Sequence, residues 1–130
     1  MSALSPYAQL LELRTTPDPR GGEMFAMPAH EGVIGRPGFL HGGAIAGLCE
    51  YAAFAALRHA VGDDATVLKP ITITVDYMRG GQLRESFARA EIIRLGRRIT
   101  NLEVRAWQDD ETRPIAMARL NFLLDRRSTQ

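Results

Sequence analysis

The spacing of apolar positions changes near the middle of the chain. Residues 42 to about 61 are apolar at most positions, which predicts one long helix that ends near Gly62. In ITITVDYM, Ile71 to Met78, apolar side chains instead occupy every second position. The segments 83–95, 99–108 and 115–124 also alternate and are joined by turns. Consecutive strands with short turns predict an antiparallel sheet.

The first forty residues carry weaker signals. Ser5 before Pro6 is typical of a helix start, and a short helix is expected to run to about Leu13. TTPDPRGG, residues 15–22, is expected to be a turn-rich break, and residues 23–29 can form a strand. The glycine-rich stretch 30–40 is expected to be a loop.

The predicted fold class is α+β, with residues 1–130 forming one domain. A sheet with one apolar face needs a cover, and the long helix is the only adequate one, so the sheet should curl around it. The expected core face of the helix consists of Ile45, Leu48, Cys49, Ala52, Ala53, Ala56, Leu57 and Ala60. The other side, with Gly47, Tyr51, Phe54 and Arg58, is hardly polar, so a second subunit is expected to cover it.

The composition limits which classes of partner and which kinds of site are expected. Hydrophobic residues make up 45%, charged residues 24%, and the net charge is +1, so no nucleic-acid partner is predicted. We find no secretion signal and no run of about 18 apolar residues, so the expected location is cytoplasmic and no membrane partner is predicted. Cys49 is the one cysteine, which excludes an internal disulfide and a site of paired cysteine ligands, and no metal is predicted. We expect Cys49 to be a small buried hydrophobic residue.

Glu50 interrupts the most apolar run of the chain, HGGAIAGLCEYAAFAAL. One interpretation is an ion pair with an arginine across a subunit interface. The other is a catalytic carboxylate, which the residues just upstream favour. His41, Gly42 and Gly43 lie where the helix must start, and free backbone N–H groups there can bind an oxyanion. Taken alone, the two glycines could equally form a tight turn into the helix.

The spacing of these groups indicates a shared site. Gly42 and Glu50 are eight residues apart, or about 12 Å along a helix. One carbonyl group cannot contact both within one subunit. Antiparallel helices in a two-fold dimer would bring Glu50 of one subunit near Gly42 of the other.

The stretches LHGGAIAGLCEYA, ITITVDYMRGG and RLGRR resemble the hotdog-fold acyl-CoA thioesterases, in particular the phenylacetate-pathway (PaaI-like) group. The similarity covers about residues 22–124. It implies a hotdog fold, with a five-stranded antiparallel sheet around the central helix, in a homodimer or a homotetramer made of two dimers. It also implies hydrolysis of an acyl-CoA substrate without metal or cofactor.

The resemblance assigns roles residue by residue. Glu50 becomes the nucleophile or general base, and the Gly42 N–H, with Gly43 beside it, polarises the thioester carbonyl from the other subunit. His41 supports the oxyanion loop or the leaving group, or only braces the loop. Four arginines at strand ends and turns are expected to meet the CoA phosphates. They are Arg79, Arg94, Arg97 and Arg98.

Two positions depart from the family pattern. Many relatives carry Asn where this chain has Gly35, and Ser or Thr where it has Pro70, with Thr72 two residues on. Arg36 is an unusual neighbour that could bind an anionic substrate group or pair with Glu50. These departures leave open a non-catalytic acyl-CoA-binding or sensing protein. A hotdog dehydratase is a third alternative, but its Asp/His motif is not found.

Overall fold

The computed structural model describes residues 4–126. It contains α1 (Pro6–Leu11), β1 (Arg14–Pro17), β2 (Glu23–Met27), a 3-10 turn (Glu31–Val33), α2 (Gly42–Val61), β3 (Val67–Tyr77), β4 (Ser86–Leu95), β5 (Ile99–Trp107) and β6 (Ala116–Asp125).

The strands form one antiparallel sheet in the order β1-β2-β4-β5-β6-β3, and α2 packs on its inner face. Apolar residues that alternate along β5 and β6 point at the helix and are buried. Leu48, Leu57 and Phe122 are among the largest fully buried side chains of this core. The predicted sheet around one central helix is therefore confirmed.

The sheet has six strands rather than the expected five. The additional strand, β1, lies at the start of the segment expected to be a turn, and pairs with β2 from Arg14 opposite Ala26 to Pro17 opposite Glu23. Its sequence, RTTP, contains no apolar side chain to bury and ends in a proline, so no pattern distinguished it from a loop. The turn that follows is held by Asp18, whose carboxylate binds Arg89 of β4 through two hydrogen bonds of 2.6 and 2.7 Å.

Both faces of α2 are covered in its first half. Ile45, Leu48 and Cys49 face the sheet as predicted, whereas Ala60, expected in the core, is exposed. Gly47 on the other face is buried because α1 lies across it. A Cβ at Gly47 would come within 2.8 Å of the Tyr7 ring and 2.9 Å of Leu11. The chain itself thus covers part of the face for which a second subunit was expected.

β3 forms one edge of the sheet and is largely exposed. Ile73, Val75 and Tyr77 lie opposite Leu120, Ala118 and Ala116 of β6, so they share the inner face of the sheet. Ile73 is nevertheless 39% exposed and Tyr77 51% exposed. The register shifts between Pro70 and Thr72, an irregularity suited to a proline on an edge strand.

Candidate functional site

The start of α2 is capped by His41. The His41 Nδ1 accepts a hydrogen bond of 2.8 Å from the Gly43 N–H, which means that Nδ1 carries no proton. The His41 backbone N–H donates to the Val33 carbonyl at 2.8 Å, and this bond ties the residue to the preceding loop. His41 therefore caps the helix start and is tied to the preceding loop, and its role at the oxyanion loop or the leaving group stays a prediction.

Capping leaves one free donor at this helix terminus. The Ala44 and Ile45 N–H groups donate to the His41 carbonyl at 3.0 and 3.2 Å, and His41 Nδ1 takes the Gly43 N–H. Within residues 4–126, the Gly42 N–H has no acceptor. It lies at the positive end of the 20-residue helix and is available to a negatively charged oxygen.

Three glycines make this arrangement sterically feasible. A Cβ on Gly35 would come within 2.8 Å of the His41 Cα, and one on Gly43 within 3.0 Å of the His41 ring. A Cβ on Gly42 would meet the Tyr77 ring at 3.3 Å. The Tyr77 hydroxyl also donates a hydrogen bond of 2.8 Å to the Gly42 carbonyl. Position 35 thus has no room for the asparagine that many relatives carry there.

Glu50 is exposed and forms no hydrogen bond or ion pair within the described part of the chain. The apolar run around Glu50 therefore does not bury its side chain in the single chain. Glu50 lies at the wall of a cavity of about 290 Å³ between α1, α2 and the β3–β6 edge. The other lining residues are Ser5, Tyr7, Gly47, Tyr51, Phe54, Leu68, Pro70 and Phe122.

The cavity is suited to an apolar group. Four of its nine lining residues are aromatic, and Glu50 is the only one of the nine that is charged at neutral pH. Tyr51 packs against Phe54 with ring centroids 6.3 Å apart, so this wall of the cavity is a continuous aromatic surface. A carboxylate at the edge of such a cavity can act on a polar group that an apolar ligand carries at its end.

Gly42 and Glu50 do not meet within one chain. Strand β3 runs antiparallel to α2, with Tyr77 beside Gly42 and Pro70 beside Glu50 at the other end of the strand. The two groups therefore occupy opposite ends of the exposed β3 edge.

The four arginines expected to bind phosphate do not lie together in the structure. Arg97 and Arg98, in the β4–β5 turn, line a groove of about 610 Å³ together with Arg126. Leu124 lines this groove and Phe122 lines the Glu50 cavity, two positions apart on β6. Arg79 lies near the Gly42 end of the sheet, where its Nε donates to the Pro114 carbonyl at 3.0 Å. Arg94 is exposed and lines neither the groove nor the Glu50 cavity.

Two further candidates lie outside the Glu50 cavity. The Arg36 guanidinium stacks on the Phe39 ring, 4.2 Å from its centroid, and does not pair with Glu50. Thr72 is opposite Asn121 on the outer face of the sheet, whereas Pro70 lines the cavity. The position with Ser or Thr in many relatives is thus at the site, but without a hydroxyl.

Tyr77 and Phe122 were not predicted to be site residues. Alternation in ITITVDY indicated that Tyr77 faces the helix, but not that its hydroxyl reaches Gly42. The alternating pattern around Phe122 indicated only that its side chain belongs to the core.

Cys49 is buried as predicted, and burial raises the pKa of its thiol to about 12. Within residues 4–126 no three His, Cys, Asp or Glu side chains converge as metal ligands would. No helix in the same range is long and apolar enough to cross a membrane.

The sequence model of the thioesterase superfamily matches residues 37–115, which include the helix start, Glu50 and strands β3 to β5. The chain belongs to the thioesterase superfamily. A comparison with curated proteins finds no match.

Solved structures share the fold of this thioesterase-superfamily chain. A Chromobacterium violaceum protein is 31% identical, with a TM-score of 0.74 over 95% of this chain and 85% of that one. A Bacillus halodurans protein crystallised with CoA is 19% identical, with a TM-score of 0.84 over 96% and 82%. A Haemophilus influenzae thioesterase is also 19% identical, with a TM-score of 0.81 over 95% and 86%. The fold is thus the hotdog fold implied by the resemblance.

Proposed function

We propose that this chain is an acyl-CoA thioesterase whose site combines Glu50 of one subunit with Gly42 of its partner in a homodimer. The observation that carries the proposal is the position of Glu50, the only charged side chain at the wall of an aromatic cavity. An acyl chain fits such a cavity, and its thioester carbonyl would lie at the edge, beside the carboxylate.

Two routes lead from this geometry to free acid and CoA. In the first, a Glu50 oxygen attacks the carbonyl carbon, the C–S bond breaks with loss of CoA thiolate, and water hydrolyses the acyl-glutamate anhydride. In the second, Glu50 takes a proton from a water molecule as that water attacks the carbonyl; the C–S bond then breaks, and the departing CoA thiolate takes the proton back from Glu50. Both routes place negative charge on the carbonyl oxygen, and the Gly42 N–H, free at a helix start, is suited to stabilise it.

The basic groove supports CoA as the thiol half of the substrate. Arg97, Arg98 and Arg126 line this groove with one acid, Asp125, and β6 contributes residues both to the groove and to the Glu50 cavity. Guanidinium groups bind phosphate through paired hydrogen bonds. The Bacillus halodurans relative with bound CoA adds support for this class of ligand.

Release of free CoA from a panel of short, medium, long and aryl acyl-CoAs tests the proposal. We expect turnover of at least one class. The same acyl group on pantetheine, which lacks the nucleotide and its phosphates, should show a higher KM with a similar kcat, the pattern of lost uniform binding. Equal KM values would remove the basic groove from the proposal.

A second candidate is an acyl-CoA-binding or sensing protein without turnover. Two features favour this candidate. There is no room for a side chain at Gly35, and Pro70 has no hydroxyl, so the chain lacks two polar groups that many relatives have near the carbonyl. Saturable binding of acyl-CoA by calorimetry, with no CoA released from any member of the panel, would establish this candidate instead.

A further inference from the structure

Tyr77 makes two contacts with the residue that holds the free N–H. Its hydroxyl donates to the Gly42 carbonyl at 2.8 Å. Its ring lies against Gly42, where a Cβ would be 3.3 Å from Cζ and 3.4 Å from the hydroxyl oxygen. Tyr77 is at the end of β3, 35 residues from Gly42 in sequence, so the contact joins the sheet to the helix start.

The helix start needs such a contact because of its composition. Two consecutive glycines have wide conformational freedom, and each is disfavoured in a helix by about 1 kcal/mol relative to alanine. His41 holds the Gly43 N–H, and Tyr77 holds the Gly42 carbonyl. These two groups belong to a single planar peptide unit, so it is fixed from both ends.

We propose that Tyr77 is a positioning residue that fixes the Gly42–Gly43 peptide and thereby directs the Gly42 N–H at the substrate carbonyl. The proposal rests on the proposed thioesterase function. The Gly42 N–H belongs to the preceding peptide, which is joined to the fixed one at the Gly42 Cα. Fixing the Gly42–Gly43 peptide therefore limits the orientations that the Gly42 N–H can adopt. Catalytic stabilisation of an oxyanion depends on donors that are already oriented before the reaction.

The state of the Tyr77 hydroxyl is consistent with this role. Partial burial raises the pKa of the Tyr77 phenol above its ordinary value of 10.0, and an electrostatic interaction with Cys49 raises it by a smaller amount. The hydroxyl therefore keeps its proton at neutral pH and remains a hydrogen-bond donor to the Gly42 carbonyl.

Tyr77→Phe tests the proposal because it removes the hydroxyl and keeps the ring against Gly42. With an acyl-CoA that the wild type hydrolyses, we expect kcat to fall about threefold to tenfold, the range for loss of one hydrogen bond, with KM unchanged. Thr74→Val is the matched control, since it removes an exposed hydroxyl of β3 with no partner among the described residues. The control should keep the wild-type kcat.

A second measurement does not need activity. Amide hydrogen exchange followed by NMR should be at least about threefold faster at Gly43 in Tyr77→Phe than in the wild type or Thr74→Val. Unchanged kcat in an active enzyme, or unchanged exchange at Gly43, overturns the role of Tyr77. Glu50→Gln, assayed alongside, separates this outcome from failure of the proposed function. An active enzyme whose turnover survives Glu50→Gln contradicts the catalytic carboxylate and leaves the exchange result to decide on Tyr77.

Discussion

Glu50 differs from its neighbours along α2 in being exposed, while Leu48, Cys49 and Ala52 are buried. The exposed position removes the need for a compensating arginine within the chain, and Arg36 is engaged with Phe39 instead. Desolvation of the carboxylate would then come from the substrate and from a second subunit. This position at an aromatic cavity supports the proposed chemical role of Glu50 over a structural one.

Glu50→Gln keeps the shape of the side chain and removes its charge. We expect kcat to fall by at least about 10²-fold, the lower end for a positioned acid–base group. The melting temperature should stay the same, because Glu50 makes no ion pair within residues 4–126. Turnover and thermal unfolding are measured on one preparation, with Glu103→Gln, an exposed glutamate of β5, as the control. Full activity in folded Glu50→Gln would contradict the catalytic assignment.

Gly35→Asn introduces the residue that many relatives carry at this position. Its Cβ would lie 2.8 Å from the His41 Cα, so the loop must move. We expect the free energy of unfolding to fall by about 1–3 kcal/mol, the range for overpacking, and kcat not to rise. Denaturant titration together with the CoA-release assay measures both. Higher turnover at unchanged stability would show that the loop accepts a side chain here.

At the scale of elements, the sequence predicted α2 with its observed ends, Gly42 and Val61, because glycines and a long apolar run mark both. It also placed β3 to β6 within a few residues. It missed β1, since RTTP becomes a strand only through pairing with β2. For the candidate site, it predicted Glu50 and Gly42, which stay predictions, but not Tyr77, because a contact across 35 residues has no local signal.

A charge cluster holds the turn between β1 and β2. Asp18 binds Arg89, which also pairs with Glu111, and the Asp18 side chain is 6% exposed. The hydrogen bond from Arg89 is the main cause of the lowered pKa of Asp18, which lies below its ordinary value of 3.8. As the pH is lowered through about 4, Asp18 takes up a proton in the unfolded chain before it does so in the folded chain. The free energy of unfolding therefore decreases as the pH is lowered through this range.

Asp18→Asn should lower the free energy of unfolding at pH 7 by about 1.5–3 kcal/mol, the range for hydrogen bonds to charged groups. It should also reduce the loss of stability between pH 5 and pH 3, because the titrating group is gone. Denaturant titrations at several pH values check both. Asp64→Asn, an exposed aspartate, is the control. An identical pH dependence in Asp18→Asn and the wild type would contradict the role of this pair.

At the scale of the whole molecule, the exposed inner face of β3 is where a second subunit is expected. Ile73 is 39% exposed and Tyr77 51% exposed, beside an unpaired strand edge. Open edges with apolar side chains favour pairing with another chain. Gly42 and Glu50 lie at opposite ends of this edge. A two-fold pairing there would bring Gly42 of each subunit close to Glu50 of the other.

Light scattering at micromolar concentration should give at least twice the chain mass of 14.4 kDa. Ile73→Lys should shift the mass to that of a monomer and abolish turnover, because a charge would enter the interface and separate Glu50 from the partner's Gly42. Ile93→Lys, at an isoleucine that is 53% exposed on β4, should leave both mass and turnover unchanged. An active monomer would contradict the shared site.

The two edges of the sheet also differ in a way that limits assembly size. One edge is β3, with eleven residues, and the other is β1, with four residues that end in Pro17, which has no N–H to donate. Only the long edge can extend the sheet, and a β3–β3 pairing uses it up in both copies. If two copies pair in this way, growth by strand addition would stop at two chains, and the open apolar edges would be protected from polymerising into fibres.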